Sequence, residues 1–81
     1  MKLFLFGRLR DGAEALHGAH IAIETLSVRQ LLRWIEANHP DLSAALQQPG
    51  VRFAVDRQFA ELDTQISAES EVAFMAPLSG G

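Results

Sequence analysis

One segment carries a sustained helical period. Val28, Leu31, Leu32 and Ile35 fall at i, i+3, i+4 and i+7 and share one helix face. Ser27 precedes the run and Gln30 follows three residues later, the spacing of a capping box, while Asn38-His39-Pro40 ends it. A helix over residues 28–38 is therefore expected. Every other apolar run is short. Residues 2–6 are a Leu and Phe run closed by Gly7, residues 20–24 alternate around Ile21 and Ile23, and residues 51–55 alternate around Phe53. Residues 59–62 follow the polar turn Asp56-Arg57-Gln58, and residues 71–76 contain Val72, Phe74 and Met75. Each of these reads as a strand. Residues 41–48 hold Leu42, Ala45 and Leu46 at helical spacing for a short second helix that Pro49-Gly50 closes. Residues 8–19 read as a loop with one helical turn within 9–16, and residues 63–70 as a polar connection around Ile66.

One long helix and five short strands bury their apolar sides together when the strands form a mixed sheet and the helix lies across one face. Alternation then directs Leu3, Leu5, Phe53, Val55, Val72 and Phe74 toward the helix and leaves Phe6 and Met75, with Phe59, on the opposite face. Two Phe and a Met on a solvated face exceed what scattered surface apolar residues require, so this face reads as a docking patch. The order and size match an α+β β-grasp, the fold of ubiquitin, and also admit other small α+β sheets.

With 81 residues, 48% of them hydrophobic, the expectation is a single domain over 1–81 with a flexible tail over 77–81. A formal charge of -3, with seven scattered Lys and Arg, leaves no basic field for a nucleic-acid backbone. No cysteine is present, which removes disulfides, thiolate nucleophiles and sulfur-ligated metals. The first apolar run is too short for a signal peptide, and no stretch approaches the ~20 apolar residues of a membrane span. A cytoplasmic protein that engages no membrane is expected.

The side chains offer little chemistry. His17, His20 and His39 share no metal-ligand spacing and read as surface or loop residues. Ser27 and Ser43 lie outside any nucleophile elbow. Glu61, Asp63, Glu69 and Glu71 read as a solvated acidic face able to assist docking to a basic partner. The closing Pro77-Leu78-Ser79-Gly80-Gly81 remains: Pro77 ends ladder pairing, and two residues without Cβ atoms can thread a narrow cleft. At a glycine usage of about 7%, chance closes roughly half a per cent of chains with Gly-Gly. A terminal carboxylate is ionised and a poor electrophile, so any transfer from it needs prior activation by a partner enzyme, for which ATP-dependent adenylation supplies the leaving group.

The opening Lys2-Leu3-Phe4-Leu5-Phe6-Gly7-Arg8-Leu9-Arg10-Asp11, the closing Glu71-Val72-Ala73-Phe74-Met75-Ala76-Pro77-Leu78-Ser79-Gly80-Gly81 and the length resemble the molybdopterin synthase small subunit along the whole chain. The resemblance implies a ubiquitin-like sulfur carrier with Gly81, supported by Gly80, as the working group. Gly81 would be adenylated by an E1-like enzyme that uses ATP and receive sulfur from a donor system as a thiocarboxylate. It would then enter the large subunit's active site to sulfurate cyclic pyranopterin monophosphate, in a heterotetramer of two small and two large subunits. Phe6, Phe59, Met75, Pro77, Leu78 and Ser79 would bind the partner. No permanently bound cofactor or metal is implied, only the C-terminal acyl-adenylate or thiocarboxylate. This chain departs from the family pattern at Asp56, where Asn is usual, at Glu69-Ser70, where a Gly-Asp turn is usual, and at Ala76-Pro77, where two prolines are usual. A carrier for thiamine thiazole or transfer-RNA thiolation, a ubiquitin-like protein modifier, and a β-grasp interaction module with an incidental glycine tail are the alternatives. The length of the middle of the chain argues against the thiazole carrier.

Overall fold

The computed structural model describes residues 1–77. The elements in chain order are β1 (Lys2–Phe6), β2 (Leu26–Ser27), α1 (Val28–Asn38), α2 (Pro40–Leu46), β3 (Arg52–Val55), β4 (Gln58–Phe59), β5 (Gln65–Ile66) and β6 (Glu71–Met75), with 3-10 turns at Gly7–Arg10 and Glu14–Leu16. The architecture is α+β. A mixed four-stranded sheet runs in the order β1-β6-β3-β4, parallel between β1 and β6 and antiparallel elsewhere, and β2 pairs with β5 in a separate ribbon.

The expected helix starts and ends where its signals lie. Ser27 Oγ accepts the Gln30 N–H at 3.1 Å and Gln30 Oε1 accepts the Ser27 N–H at 2.8 Å, so the capping box is complete. The Val28 and Arg29 amides donate to the Thr64 and Leu62 carbonyls, which satisfies two more first-turn donors. Ser27→Ala is expected to lower stability by about 0.5 to 2 kcal/mol, read as a lower denaturant midpoint. Pro40, expected only to stop α1, also opens α2 at its first position, where its missing N–H costs nothing.

Val28, Leu31 and Ile35 of α1 are fully buried, with Leu3, Leu5, Val72 and Phe74 beneath them and Val55 beside. Leu32 and Phe53, expected in the same core, are only half-buried at its margin, Phe53 packing edge-on to Phe74 at 6.1 Å. Ile66 overturns an expectation. It is fully buried in β5 and paired with Leu26, rather than central to a polar connection. Met1 is also enclosed, its ammonium donating to the Ile21 and Ala68 carbonyls.

The strand expected over 20–24 does not form. Residues 18–21 line β1 through the bonds Gly18 N–H to Leu3 O, Leu3 N–H to Ala19 O and Ile21 N–H to Met1 O, with one bridge between Lys2 and His20. In that antiparallel register residues 22–24 lie past the first residue of β1 and have no strand opposite them. The expected strand over 59–62 shortens to Gln58–Phe59, and Leu62 is exposed. Five strands in one sheet thus become four, plus a two-stranded ribbon. No helix among the described residues is long and apolar enough to cross a membrane.

Candidate functional site

The face of the sheet turned away from α1 carries Phe4 and Phe6 from β1, Ala73 and Met75 from β6, Arg52 and Ala54 from β3, and Phe59 from β4. These positions follow from the register Phe6↔Met75, Arg52↔Met75 and Ala54↔Phe59. Phe6 is 46% exposed and Phe59 65% exposed, which leaves two of the five Phe side chains largely in solvent. The Arg52 guanidinium lies 3.8 Å from the centre of the Phe59 ring, a cation–π contact that ties the two side chains to each other.

At one end of this face Phe6, Phe59, Met75 and Pro77 line a single open cleft, with Gly7, Gly50 and Ala76 in its wall and Arg8, Asp11 and Arg52 around it. An apolar floor with a charged rim is the anatomy of a protein-docking surface. Four of the expected site residues, Phe6, Phe59, Met75 and Pro77, are therefore brought together. The other four, Leu78, Ser79, Gly80 and Gly81, lie outside the described residues.

Phe4 and His17 belong to the same face without having been expected there. The Phe4 and Phe6 rings stack at 6.4 Å, and the His17 imidazole packs edge-on against both at 5.7 Å. His17 Nδ1 accepts the Leu5 N–H at 3.1 Å, which replaces a backbone partner on the open side of β1 and places the neutral ring's proton on Nε2. The alternation of residues 2–6 could have revealed Phe4, whereas nothing local to the loop marks His17.

The departures from the family pattern have local partners. Asp56, at φ 51°, accepts the Glu71 N–H on Oδ1 at 2.9 Å and donates its own N–H to the Glu71 carbonyl at 2.8 Å, a reciprocal pair that supports its left-handed backbone. Ser70 Oγ accepts the Ser67 N–H at 2.9 Å and closes that turn.

Glu61, Asp63, Glu69 and Glu71 do not line the cleft. Asp63 pairs with Arg29 at 3.3 Å beside the start of α1, and Glu71 lies at the end of β6 remote from Pro77. Glu14 has its carboxyl held below its ordinary pKa by the N–H groups of its own residue and of Gly12, with Arg10 adding to the effect, and it does not line the cleft. Among the described residues no three His, Asp or Glu side chains gather where they would hold a metal ion.

The crystal structure of SAMP1 from Haloferax volcanii superposes with a TM-score of 0.82, covering 100% of this chain and 98% of that one at 21% identity, and so shares the β-grasp fold. No curated protein matches the chain in sequence. The ThiS family model matches residues 3–81, from the first strand through the closing glycines. The chain belongs to the ThiS family of ubiquitin-like sulfur carriers.

Proposed function

We propose that this carrier is the small subunit of a molybdopterin synthase and acts in the cytoplasm. The Gly81 carboxylate attacks the α-phosphorus of ATP on an E1-like enzyme, pyrophosphate leaves, and a sulfur donor displaces AMP to leave a thiocarboxylate. The thiocarboxylate enters the active site of the large subunit and gives its sulfur to cyclic pyranopterin monophosphate, and hydrolysis returns the carboxylate. Two transfers build the dithiolene, in an assembly of two small and two large subunits. The observation that carries this reading is the exposed apolar cleft at Phe6, Phe59 and Met75, which lies where the chain leaves the sheet at Pro77. A partner seated there receives the tail directly, with Leu78 and Ser79 as the spacer to the two glycines. The length of the middle of the chain argues against the thiazole, and the resemblance of the first and last strands to the small subunit favours the pterin as acceptor.

Met75→Arg tests the docking face. The new charge would be desolvated on binding and lie opposite Arg52, so the complex with the large subunit is expected to weaken at least about thirtyfold, the size of a hot-spot loss near 2 kcal/mol. The isolated domain should keep its fold, because Met75 lies outside the fully buried core. Affinity equal to wild type would contradict the assignment. Thiocarboxylated chain offered in parallel to the pterin system, a thiazole-forming system and a transfer-RNA thiolating system tests the acceptor. Sulfur is expected in the pterin, and delivery only to thiazole or transfer RNA would replace the pathway while keeping the carrier.

A further inference from the structure

Among the described residues four glycines have left-handed backbone: Gly7, Gly12, Gly18 and Gly50, at φ +68°, +77°, +76° and +86°. At Gly12 and Gly18 a Cβ would meet nothing within 4 Å, so conformation alone accounts for glycine there. Gly7 and Gly50 are different. A Cβ at Gly7 would stand 3.3 Å from Ala76 Cβ, and one at Gly50 would stand 3.1 and 3.2 Å from Pro77 Cβ and Cγ.

The topology explains the coincidence. β6 lies between β1 and β3; Gly7 directly follows β1, and Gly50 stands two residues before β3. Ala76 and Pro77, leaving β6, thus pass between one glycine from each neighbouring strand, with the Ala76 N–H still donating to the Phe6 carbonyl at 3.4 Å. We infer that Gly7 and Gly50 are positioning residues that grip the base of the tail and set the direction in which the chain leaves Pro77. This inference rests on the carrier reading above.

The Pro77 ring is closed onto its own backbone and cannot rotate away from an added methyl group, so relief at position 50 must come from backbone movement. A shift of roughly 0.3 to 0.5 Å at Pro77, pivoting one residue back over about 3.8 Å, turns the exit by about 5 to 8 degrees. Four further residues can reach at most about 13 Å from Pro77, so the turn displaces the space open to the terminal carbon by up to roughly 1 to 2 Å. A misplacement of 1 Å can cost about a hundredfold in rate. The side chains Phe6, Phe59 and Met75 of the cleft floor keep their places and only its wall at Gly50 and Pro77 shifts, so the loss belongs chiefly in kcat rather than in KM.

The test is ATP–pyrophosphate exchange by the cognate E1-like enzyme, with the full chain as substrate, together with a thermal melt of each variant. Gly50→Ala is expected to lower kcat about tenfold to a hundredfold with KM within about threefold of wild type. Gly12→Ala and Gly18→Ala share its backbone strain and should leave kcat unchanged. Combining Gly50→Ala with Pro77→Gly, measured against Pro77→Gly alone, should recover most of the loss. Gly7→Ala should show a smaller loss that Ala76→Gly relieves, and this pair decides the matter if Gly50→Ala does not fold. A Gly50→Ala chain no slower than Gly12→Ala, or losses that the partner substitutions leave unrelieved, would overturn the inference. A wild-type chain that supports no exchange would overturn the carrier reading itself, and the proposed grip with it.

Discussion

A chain ending at Gly80 is expected to deliver no measurable sulfur to the pterin while folding and docking as the full chain does. Removing Gly81 withdraws the reacting carbon by one residue, about 3.3 to 3.6 Å in an extended tail. One ångström of misplacement can already cost about a hundredfold, so a withdrawal of this size leaves the carbon out of reach in both partner enzymes. Among the described residues the fully buried side chains lie between Met1 and Phe74, and the proposed docking side chains Phe6, Phe59 and Met75 precede the deletion, so melting temperature and affinity for the large subunit should stay near wild type. Gly80→Ala should act more mildly, by narrowing the backbone angles open to the tail. The assay combines thiocarboxylated protein, large subunit and cyclic pyranopterin monophosphate and follows molybdopterin. Full activity from the shortened chain would show that the terminus is not the working group.

Leu31→Ala carries the largest expected cost in stability. Leu31 is fully buried at the centre of the α1 face, against the inner side chains of β1 and β6, and among the described residues α1 is the one long helix covering that side of the sheet. Truncating a leucine in such a place removes its transfer energy and leaves a cavity, together about 2 to 5 kcal/mol. A domain of this length is stable by only about 4 to 12 kcal/mol, so a large share would be lost. Chemical denaturation should show a markedly lower midpoint, whereas an unchanged midpoint would refute the assignment of the core.

The expectations that succeed and those that fail differ in how local their physics is. Helix α1 is readable because an eleven-residue element repeats its period several times and carries its own cap at Ser27 and Gln30. β1, β3 and β6 are readable because apolar runs or alternation extend over four or five residues. The ribbon of β2 and β5 is not, because two residues hold no period; Ile66 pairs with Leu26, far away in sequence, and is buried within the main core. The alternation of 20–24 is present, yet a strand forms only where another lies opposite, and the backbone pairing beside β1 ends with Met1 and Ile21.

The site divides in the same way. Phe6 and Met75 are assigned by the period of two in their strands, and Phe59 by the hairpin that pairs it with Ala54. His17 is held by a hydrogen bond to Leu5 twelve residues earlier, and Gly7 and Gly50 leave room that a Cβ would take from Ala76 and Pro77, none of which leaves a mark in the local sequence.

The carrier claim is tested most directly by the intact mass of the chain after incubation with its E1-like enzyme, ATP and a sulfur donor. The account predicts a species heavier by the difference between one sulfur and one oxygen atom, with the change confined to the C-terminal peptide and absent from a chain lacking Gly81. An unchanged mass in the presence of active enzyme, or a sulfur atom located anywhere but the terminal carboxyl, would contradict it.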